Sequence, residues 1–451
     1  MNKDLMVSTS GIRGIIGTGL EPVMVTRYAA AFGSWLKKGR VVIGRDSRPS
    51  GEMFKKAVTA GLQAVGIDIV DIGIVPTPTV EIAIPALKAI GGICITASHN
   101  PSEWNALKFF NKNGEFINKN DLDRIKKIYA SERFSLMNHR RLGKVTGDDT
   151  WIDRHIKEVL GLNVINRNKV RRVGLKVVVD AINGAGSDAL PRLLERLGVR
   201  VVRLNCKGDG DFVHKPEPVP ANLKMLGAAV KKHRADLGLA CDPDADRLAL
   251  VDETGRPIGE ELTLALAVRH VLTKSKGGVV INLSTSRVTA DTAEELGARV
   301  FYTPVGEANV IAGMKKHRAI IGGEGNGGVM YPKFHCGRDA LVGAAIIASL
   351  LAESKSKLSK LAGTLPIYYN IKSKAALPSG FDRKLGRLEK EAGRWFDNLR
   401  IDRRDGFRFD FDRGWFQVRR SNTEPIYRLI VEADSNRLSR EVKSRVAKFL
   451  K

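Results

Sequence analysis

Apolar residues in this chain fall in short runs that stop at small and polar residues, and stretches of helical period lie between the runs. In the first part of the chain, runs at 41–43, 67–70 and 93–95 predict buried strands, with helices at 51–65 and on to 88. A polar stretch, 131–147, marks a first boundary, and a helix at 150–160 leads out of it. Strands then follow at 175–180, 200–204 and 237–241, with helices at 187–197 and 223–233. The same rhythm returns with a helix at 260–272, a strand at 278–281, a helix at 290–296, a strand at 300–303, a helix to 316, a strand at 319–321 and a helix at 339–353. Such alternation implies mostly parallel sheets covered by helices. From about 366 the pattern changes to a strand, a helix at 383–399, strands at 407–411, 415–418 and 427–433, and a helix at 438–450, which reads as α+β.

An internal repeat emerges from this pattern. Ile93-Cys94-Ile95 precedes Ser98, Leu239-Ala240-Cys241 precedes Asp242, and Ile320-Ile321-Gly322 precedes Glu324. Each is a short apolar strand delivering a loop of small and polar residues, the place where open α/β sheets bind ligands. The expected fold class is α/β. Three tandem related α/β domains with mixed, mostly parallel sheets, at 1–149, 150–256 and 257–365, each offer one loop to a shared cleft, and a C-terminal α+β domain follows at 366–451.

The loops carry distinct chemistry. Asp242, Asp244 and Asp246 stand at alternate positions after a strand, and three such carboxylates repel one another unless a cation sits among them. Oxygen ligands select a hard cation, with Mg²⁺ ahead of Ca²⁺ where a phosphate is also present. A calcium-binding EF-hand loop starts the same way and finds Glu253 in the right place, but it needs glycine where Arg247 stands, and 248–251 reads as a strand. Ser98, with His99 and Asn100 beside it, is placed to act as a nucleophile, although Ser, Asn and Pro also make ordinary turns. Glu324 and Asn326, in a glycine-rich loop, suit sugar hydroxyls. Arg419, Arg420, Ser421, Asn422 and Thr423 offer guanidinium, hydroxyl and amide donors suited to a phosphate dianion. Arg13 is a second candidate phosphate contact, and Lys108 a candidate acid/base or phosphate contact.

Composition narrows the class. At 451 residues the chain is too long for one core, and its 43% apolar content is ordinary for globular protein. No apolar run approaches the roughly 18 residues of a membrane span. The opening Met1-Asn2-Lys3-Asp4 lacks the charged-then-apolar pattern of a leader. Cys94, Cys206, Cys241 and Cys336 are far apart and form no CxxC pair, so reduced thiols and a cytoplasmic location are expected. Lys and Arg number 74 against 49 Asp and Glu, a formal net charge of +25, which favours phosphorylated ligands or polyanions. The basic residues are dispersed and aromatics make up only 6%, so nucleic-acid binding is not expected as the main function.

Taken together and in order, these motifs resemble the α-D-phosphohexomutase family over nearly the whole chain. The family's phosphoserine loop resembles Thr96-Ala97-Ser98-His99-Asn100-Pro101, its metal loop 242–247, its sugar loop Gly323-Glu324-Gly325-Asn326-Gly327-Gly328, and its phosphate loop Arg420-Ser421-Asn422-Thr423-Glu424-Pro425. The resemblance implies four domains around a central cleft, the last one mobile. It further implies a phosphoryl group carried on Ser98, one Mg²⁺ held by that group with Asp242, Asp244 and Asp246, and a hexose 1,6-bisphosphate that activates the enzyme and turns over in the cleft. Ser98, His99, Lys108, Arg13 and Arg247 form the implied catalytic set; Thr303, Gly306, Glu324, Asn326, Arg420, Ser421, Asn422 and Thr423 form the substrate set.

Two departures stand out. Gly328 occupies the place where the family's sugar loop often ends in His, which leaves Lys108 or His335 as acid/base, and Asn105-Ala106 stands where the family often has Asn-Gly. The sugar loop resembles the branch assigned to archaeal-type phosphoglucosamine mutases. The implied reaction moves phosphate between O6 and O1 of glucosamine phosphate, in a monomer or homodimer without membrane or nucleic-acid partners. Phosphomannomutase/phosphoglucomutase activity, a hydrolase, and a phosphate- or nucleic-acid-binding protein without catalysis are the alternatives.

Overall fold

The computed structural model describes residues 5–421 and 426–451. The first unit is a seven-stranded sheet in the order Leu5–Ser8, Gly11–Ile15, Trp104–Asn111, Gly91–Ile95, Arg40–Arg45, Asp68–Ile74, Val145–Gly147. The second has four strands, Leu248–Asp252, Leu237–Cys241, Lys176–Asp180 and Arg200–Leu204, and the third has five, Val300–Thr303, Val279–Asn282, Ile321–Glu324, Gly328–Tyr331 and His335–Arg338.

The repeat read from the sequence is a repeat of topology. Gly91–Ile95, Leu237–Cys241 and Ile321–Glu324 each run parallel to one neighbour, namely Arg40–Arg45, Lys176–Asp180 or Val279–Asn282. Each also pairs antiparallel with the strand that follows it, Trp104–Asn111, Leu248–Asp252 or Gly328–Tyr331. Every functional loop is thus the reversal between a strand and its antiparallel successor. The sheets are mixed, and the α/β class is the one the pattern implied. Gly91–Ile95 and Leu237–Cys241 are buried along their whole length, as continuous apolar strands covered on both faces must be.

Some elements differ from expectation. The strand expected at 319–321 runs Ile321–Glu324, which puts Gly322, Gly323 and Glu324 in the ladder. Pairing on both sides holds glycines that carry no strand signal of their own. The helix expected at 383–399 spans Phe381–Ala392 and stops at Gly393. An unforeseen helix, Arg167–Val173, is capped at its start by the Asn166 side chain and at its end by Gly174, with φ 66°.

The second and third units share one core. The helix Ala340–Ser354 is buried from Ala340 through Ala352, apolar on all sides, so it belongs inside. It packs on Trp151–Gly161, Arg167–Val173 and Gly186–Arg196 from one unit and on Glu260–Lys274 from the other. One continuous hydrophobic cluster results, whereas the fourth unit has its own, and the first has one of its own and a second that it shares with Trp151. The Asp242 and Glu324 loops are therefore mounted on a single rigid body.

The fourth unit is an antiparallel sheet in the order Tyr369–Ala376, Ile426–Ala433, Gly414–Arg420, Phe407–Phe411, Arg400–Asp402, covered by Phe381–Ala392 and Asn436–Leu450. It meets the third unit where Arg408 Nη1 donates to Leu283 O (2.6 Å), Ser284 Oγ to Gln417 Oε1 (2.5 Å), and Val305 N to Asp405 Oδ2 (3.0 Å). Among the described residues no helix is long and apolar enough to cross a membrane, and all four cysteines are free.

Candidate active site

Ser98 sits on the turn after Gly91–Ile95 with φ 50°, in the left-handed region that a side chain seldom adopts. Neighbouring groups hold it there. Thr96 Oγ1 donates to Asp46 Oδ2 (2.6 Å) and accepts from Ser98 N (2.9 Å). Arg48, fully buried, spends its Nη1 and Nη2 donors on the carbonyls of 98–104 and its Nε on Asp46. Its Nη2 donates to the carbonyls of Ser98 (2.7 Å) and Asn100 (2.6 Å), its Nη1 to those of Pro101 (2.6 Å) and Trp104 (3.0 Å), and its Nε to Asp46 Oδ2 (3.0 Å).

The acidic trio faces this serine. Ser98 Oγ donates to Asp242 Oδ2 at 2.8 Å and lies 3.3 Å from His99 Nδ1. Oxygens of Asp242, Asp244 and Asp246 lie within 4.8 Å of one another, all buried. The turn is fixed by Asp242 Oδ1, which accepts from Asp246 N and Arg247 N, both at 3.1 Å, and by Ala245 at φ 51°. Asp244 Oδ2 accepts from Lys108 Nζ (2.5 Å) and from Thr77 Oγ1 (2.6 Å), at the start of the helix Thr77–Ala86. Lys108 reaches it from Trp104–Asn111, directly across the ladder from Cys94.

The electrostatics divide the trio. Burial, then Asp246 and Asp244, push the Asp242 carboxyl well above the usual range. Burial works the same way on Asp244, but Lys108 outweighs it and holds Asp244 low. Lys108 itself is kept charged, because Asp244 and Asp246 overcome the cost of burying it. Asp244 Oδ1 and Asp246 Oδ1 have no hydrogen-bond partner among the described residues. Buried carboxylate oxygens without donors, crowded on one side, fit a hard divalent cation.

Positive groups ring the serine. Arg13 Nη1 donates to Asn100 Oδ1 at 2.7 Å, and Arg247 Nε approaches Asp242 and Asp246 only to 3.8 Å. His99 is driven well below its ordinary value by burial and then by Arg247 and Arg13, which keeps the ring neutral. On the third unit, Glu324 Oε1 accepts from Asn282 Nδ2 (2.8 Å) and Gly306 N (3.2 Å), and Asn326 Nδ2 donates to Glu324 Oε2 (3.3 Å). Thr303 ends the neighbouring strand and donates to Pro304 O (3.1 Å). Thr303, Gly306, Glu324 and Asn326 thus form one cluster.

In the fourth unit, Arg419 and Arg420 lie at the end of Gly414–Arg420, on opposite faces of the strand. The Arg420 guanidinium turns to Asp382 (2.6 Å) and Phe381. Arg419 is the more buried of the two, and burial lowers its guanidinium value against the opposing pull of Asp405 and Glu324. Ser421 N donates to Ile426 O at 2.9 Å; Asn422 and Thr423 lie outside the described residues.

Four family models of phosphoglucomutase/phosphomannomutase match in sequence order: alpha/beta/alpha domains I, II and III over 4–136, 153–255 and 259–368, and the C-terminal domain over 374–449. The chain belongs to the phosphoglucomutase/phosphomannomutase family. It is a phosphohexomutase, an intramolecular phosphotransferase. A Thermococcus kodakarensis protein named phosphoglucomutase/phosphomannomutase is 39% identical over 97% of this chain and 96% of its own. A probable phosphoglucosamine mutase of Methanopyrus kandleri is 36% identical over 96% and 95%. A crystal structure of a phosphoglucomutase/phosphomannomutase family protein from Burkholderia thailandensis superposes with a TM-score of 0.86 at 29% identity, covering 99% of this chain and 98% of that one.

Sequence reasoning did not assign Arg48, Thr77 or Arg338 to the phosphohexomutase site. Arg48 lay in view in the polar turn after 41–43, but the carbonyls it binds are 50 to 56 positions away. His335, the alternative acid/base, bonds elsewhere. Its Nε2 lies 2.9 Å from Asp339 Oδ2, which His155 Nε2 also meets at 2.8 Å, and its Nδ1 lies 3.4 Å from Glu81 Oε2 in the first unit.

This junction makes stability depend on pH. Burial disfavours the His335 imidazolium, but Asp339 and Glu81 outweigh it and push the value up to about 9, against roughly 6.5 in an unfolded chain. Burial and then the nearby Glu307 push Glu81 up to about 8, so it too retains a proton that the unfolded chain sheds. Both shifts have the same sign. The contribution of His335 is fully present below about pH 6.5 and is lost as pH rises through about 9. The urea midpoint is expected to fall across that window, and His335→Gln to flatten the fall; a midpoint that holds or rises in the wild type refutes the assignment.

Proposed function

We propose that the protein moves a phosphoryl group between O6 and O1 of a hexose phosphate through phosphorylated Ser98 and a hexose bisphosphate, with glucosamine phosphate as the preferred sugar. The observation that carries the reading is Ser98 Oγ at 2.8 Å from Asp242, inside a trio whose two other carboxylates keep partnerless oxygens. Asp242, Asp244 and Asp246 would hold one Mg²⁺ together with the phosphoryl group on Ser98. When bound, that ion supplies charge neutralisation at the phosphoryl oxygens.

The remaining roles belong to side chains. As the phosphoryl group passes from the sugar oxygen to Ser98 Oγ, Asp242 accepts the hydroxyl proton and hands it on to the sugar oxygen that the broken P–O bond leaves. Arg13 and Arg247 hold phosphoryl oxygens beside a neutral His99. Lys108, kept charged by Asp244, serves as the fixed counter-charge of the trio. Glu324 and Asn326, with Thr303 and Gly306, grip sugar hydroxyls, and Arg419 and Ser421 take the phosphate that is not reacting, while Arg420 is held by Asp382. Separate grips for hydroxyls and for phosphate let the bisphosphate bind in either direction, as exchange between O1 and O6 requires.

The sugar loop supports glucosamine phosphate, while the relative at 39% identity, named for glucose and mannose phosphates, favours those sugars as a second reading. Side-by-side turnover of glucosamine, glucose and mannose 6-phosphates, primed with a trace of hexose bisphosphate, separates them. The highest kcat/KM is expected with glucosamine 6-phosphate. Preference for glucose or mannose selects the second reading, and sustained release of free phosphate would make the protein a hydrolase.

A further inference from the structure

Gly328 is a glycine for reasons of space. Its φ lies outside the left-handed region, and it sits in a regular ladder opposite Glu324. A Cβ built there would lie 2.3 Å from Arg338 Cδ and 2.8 Å from Cγ. Arg338 ends the strand His335–Arg338, paired with Met330 of Gly328–Tyr331. Met330 and Gly328 share one face of that middle strand. The arginine stem therefore crosses the middle strand at residue 328 and reaches Glu324 on the strand beyond.

At the far side the guanidinium meets three carboxylates. Its Nη2 lies 2.6 Å from Asp246 Oδ2, its Nε 3.1 Å from Glu307 Oε2, and its Nη1 3.2 Å from Glu324 Oε2. Glu307 Oε1 also accepts from Arg338 N at 3.0 Å, which fixes the base of the fork. All four side chains are buried. A planar fork with divergent donors can serve three acceptors at fixed angles; a lysine ammonium at the end of a flexible stem cannot.

We propose that Arg338 is a positioning residue that locks the sugar-gripping Glu324 to the metal-loop Asp246, and that residue 328 is glycine to let it pass. This rests on the mutase reading of the site. Burial raises the proton affinity of Glu324, and Arg338, helped by Asn282, Arg247 and Asn326, more than offsets it, so the carboxylate stays ionised and ready to accept sugar hydroxyls. Displacing the guanidinium releases both loops at once, so the grip on the sugar and the grip on the cation weaken together.

The test uses the full-length protein with Gly328→Ala, Arg338→Ala and both together. Gly328→Ala keeps every charge and pushes the stem aside; the next neighbour of the new Cβ is Asn326 Oδ1 at 3.0 Å, a contact that persists in the Arg338→Ala background and is read there by itself. The glycine change is expected to raise KM for the preferred hexose 6-phosphate about tenfold, with kcat changed less. It is also expected to weaken magnesium binding, measured by titration calorimetry without sugar, about threefold. In the Arg338→Ala background the same glycine change is expected to cost less than about twofold in either readout, because the obstructed stem is gone. An unchanged KM, an unchanged magnesium isotherm, or additive losses in the double variant each overturn the proposal. If Arg338→Ala does not fold, the two readouts on Gly328→Ala decide alone. If the wild type turns over none of the three sugars, the mutase reading fails, while the magnesium isotherm still tests the link between Gly328 and Asp246.

Discussion

Ser98→Ala is expected to lower kcat by about four to six orders of magnitude, the scale seen when a covalent carrier is removed, and to leave the fold intact. Among the described residues the hydroxyl hydrogen-bonds only Asp242 and His99, and Ser98 is 3% exposed. The turn is held by backbone carbonyls that Arg48 binds and by the Thr96 hydroxyl, none of which needs the serine oxygen. Alanine at φ 50° bears the same backbone strain as serine. Intact-mass measurement after exposure to hexose bisphosphate should show one added phosphoryl group on the wild type and none on the variant. Full turnover by the variant would end the phosphoserine assignment.

Asp242→Asn and Asp244→Asn are expected to abolish metal-dependent turnover alike, yet to shift the stability of the metal-free protein in opposite directions. Asp242 is the member of the trio that burial and its neighbours push toward neutrality. An asparagine there keeps the acceptor for Asp246 N and Arg247 N and removes one crowded charge. The gain is about 1 to 2 kcal/mol. Asp244 instead carries the closest partner of Lys108, whose side chain is 3% exposed. Removing one member of a buried pair costs about 3 to 5 kcal/mol. Denaturant unfolding in chelator reads these signs. Repeating it in magnesium should raise the midpoint of the wild type and of neither variant. Equal losses from both substitutions, or a magnesium shift that survives Asp242→Asn, would contradict the reading.

The loops that matter were legible because each follows a short apolar run, and such a run names the end of a buried strand without any knowledge of the fold. Of their antiparallel successors, 248–251 was read as a strand and the other two were less legible. Trp104–Asn111 and Gly328–Tyr331 carry weaker apolar signals and are held as strands by their neighbours. Arg419 and Arg420 show the limit at single-residue scale. Both looked like loop residues, but the strand runs through Arg420, and its alternation decides which one faces inward. Arg338 illustrates a different limit, since nothing local says that its stem lies over a glycine ten positions earlier. Arg48 likewise looks like one more turn arginine until the carbonyls it binds are brought to it by the sheet.

The common interior of the second and third sheets constrains how this enzyme can be recombined. A chimera that replaced only the 242–247 hairpin's parent sheet with that of a distant relative would set foreign side chains against the helix Ala340–Ser354 on one flank and native ones on the other. The antiparallel sheet at the C-terminal end, with its separate interior, can be exchanged as a cassette that keeps its partners for Leu283, Ser284 and Val305. Tailoring of this enzyme toward other sugar phosphates by part-swapping therefore has a natural seam before Tyr369–Ala376 and none between the cation hairpin and the hydroxyl hairpin.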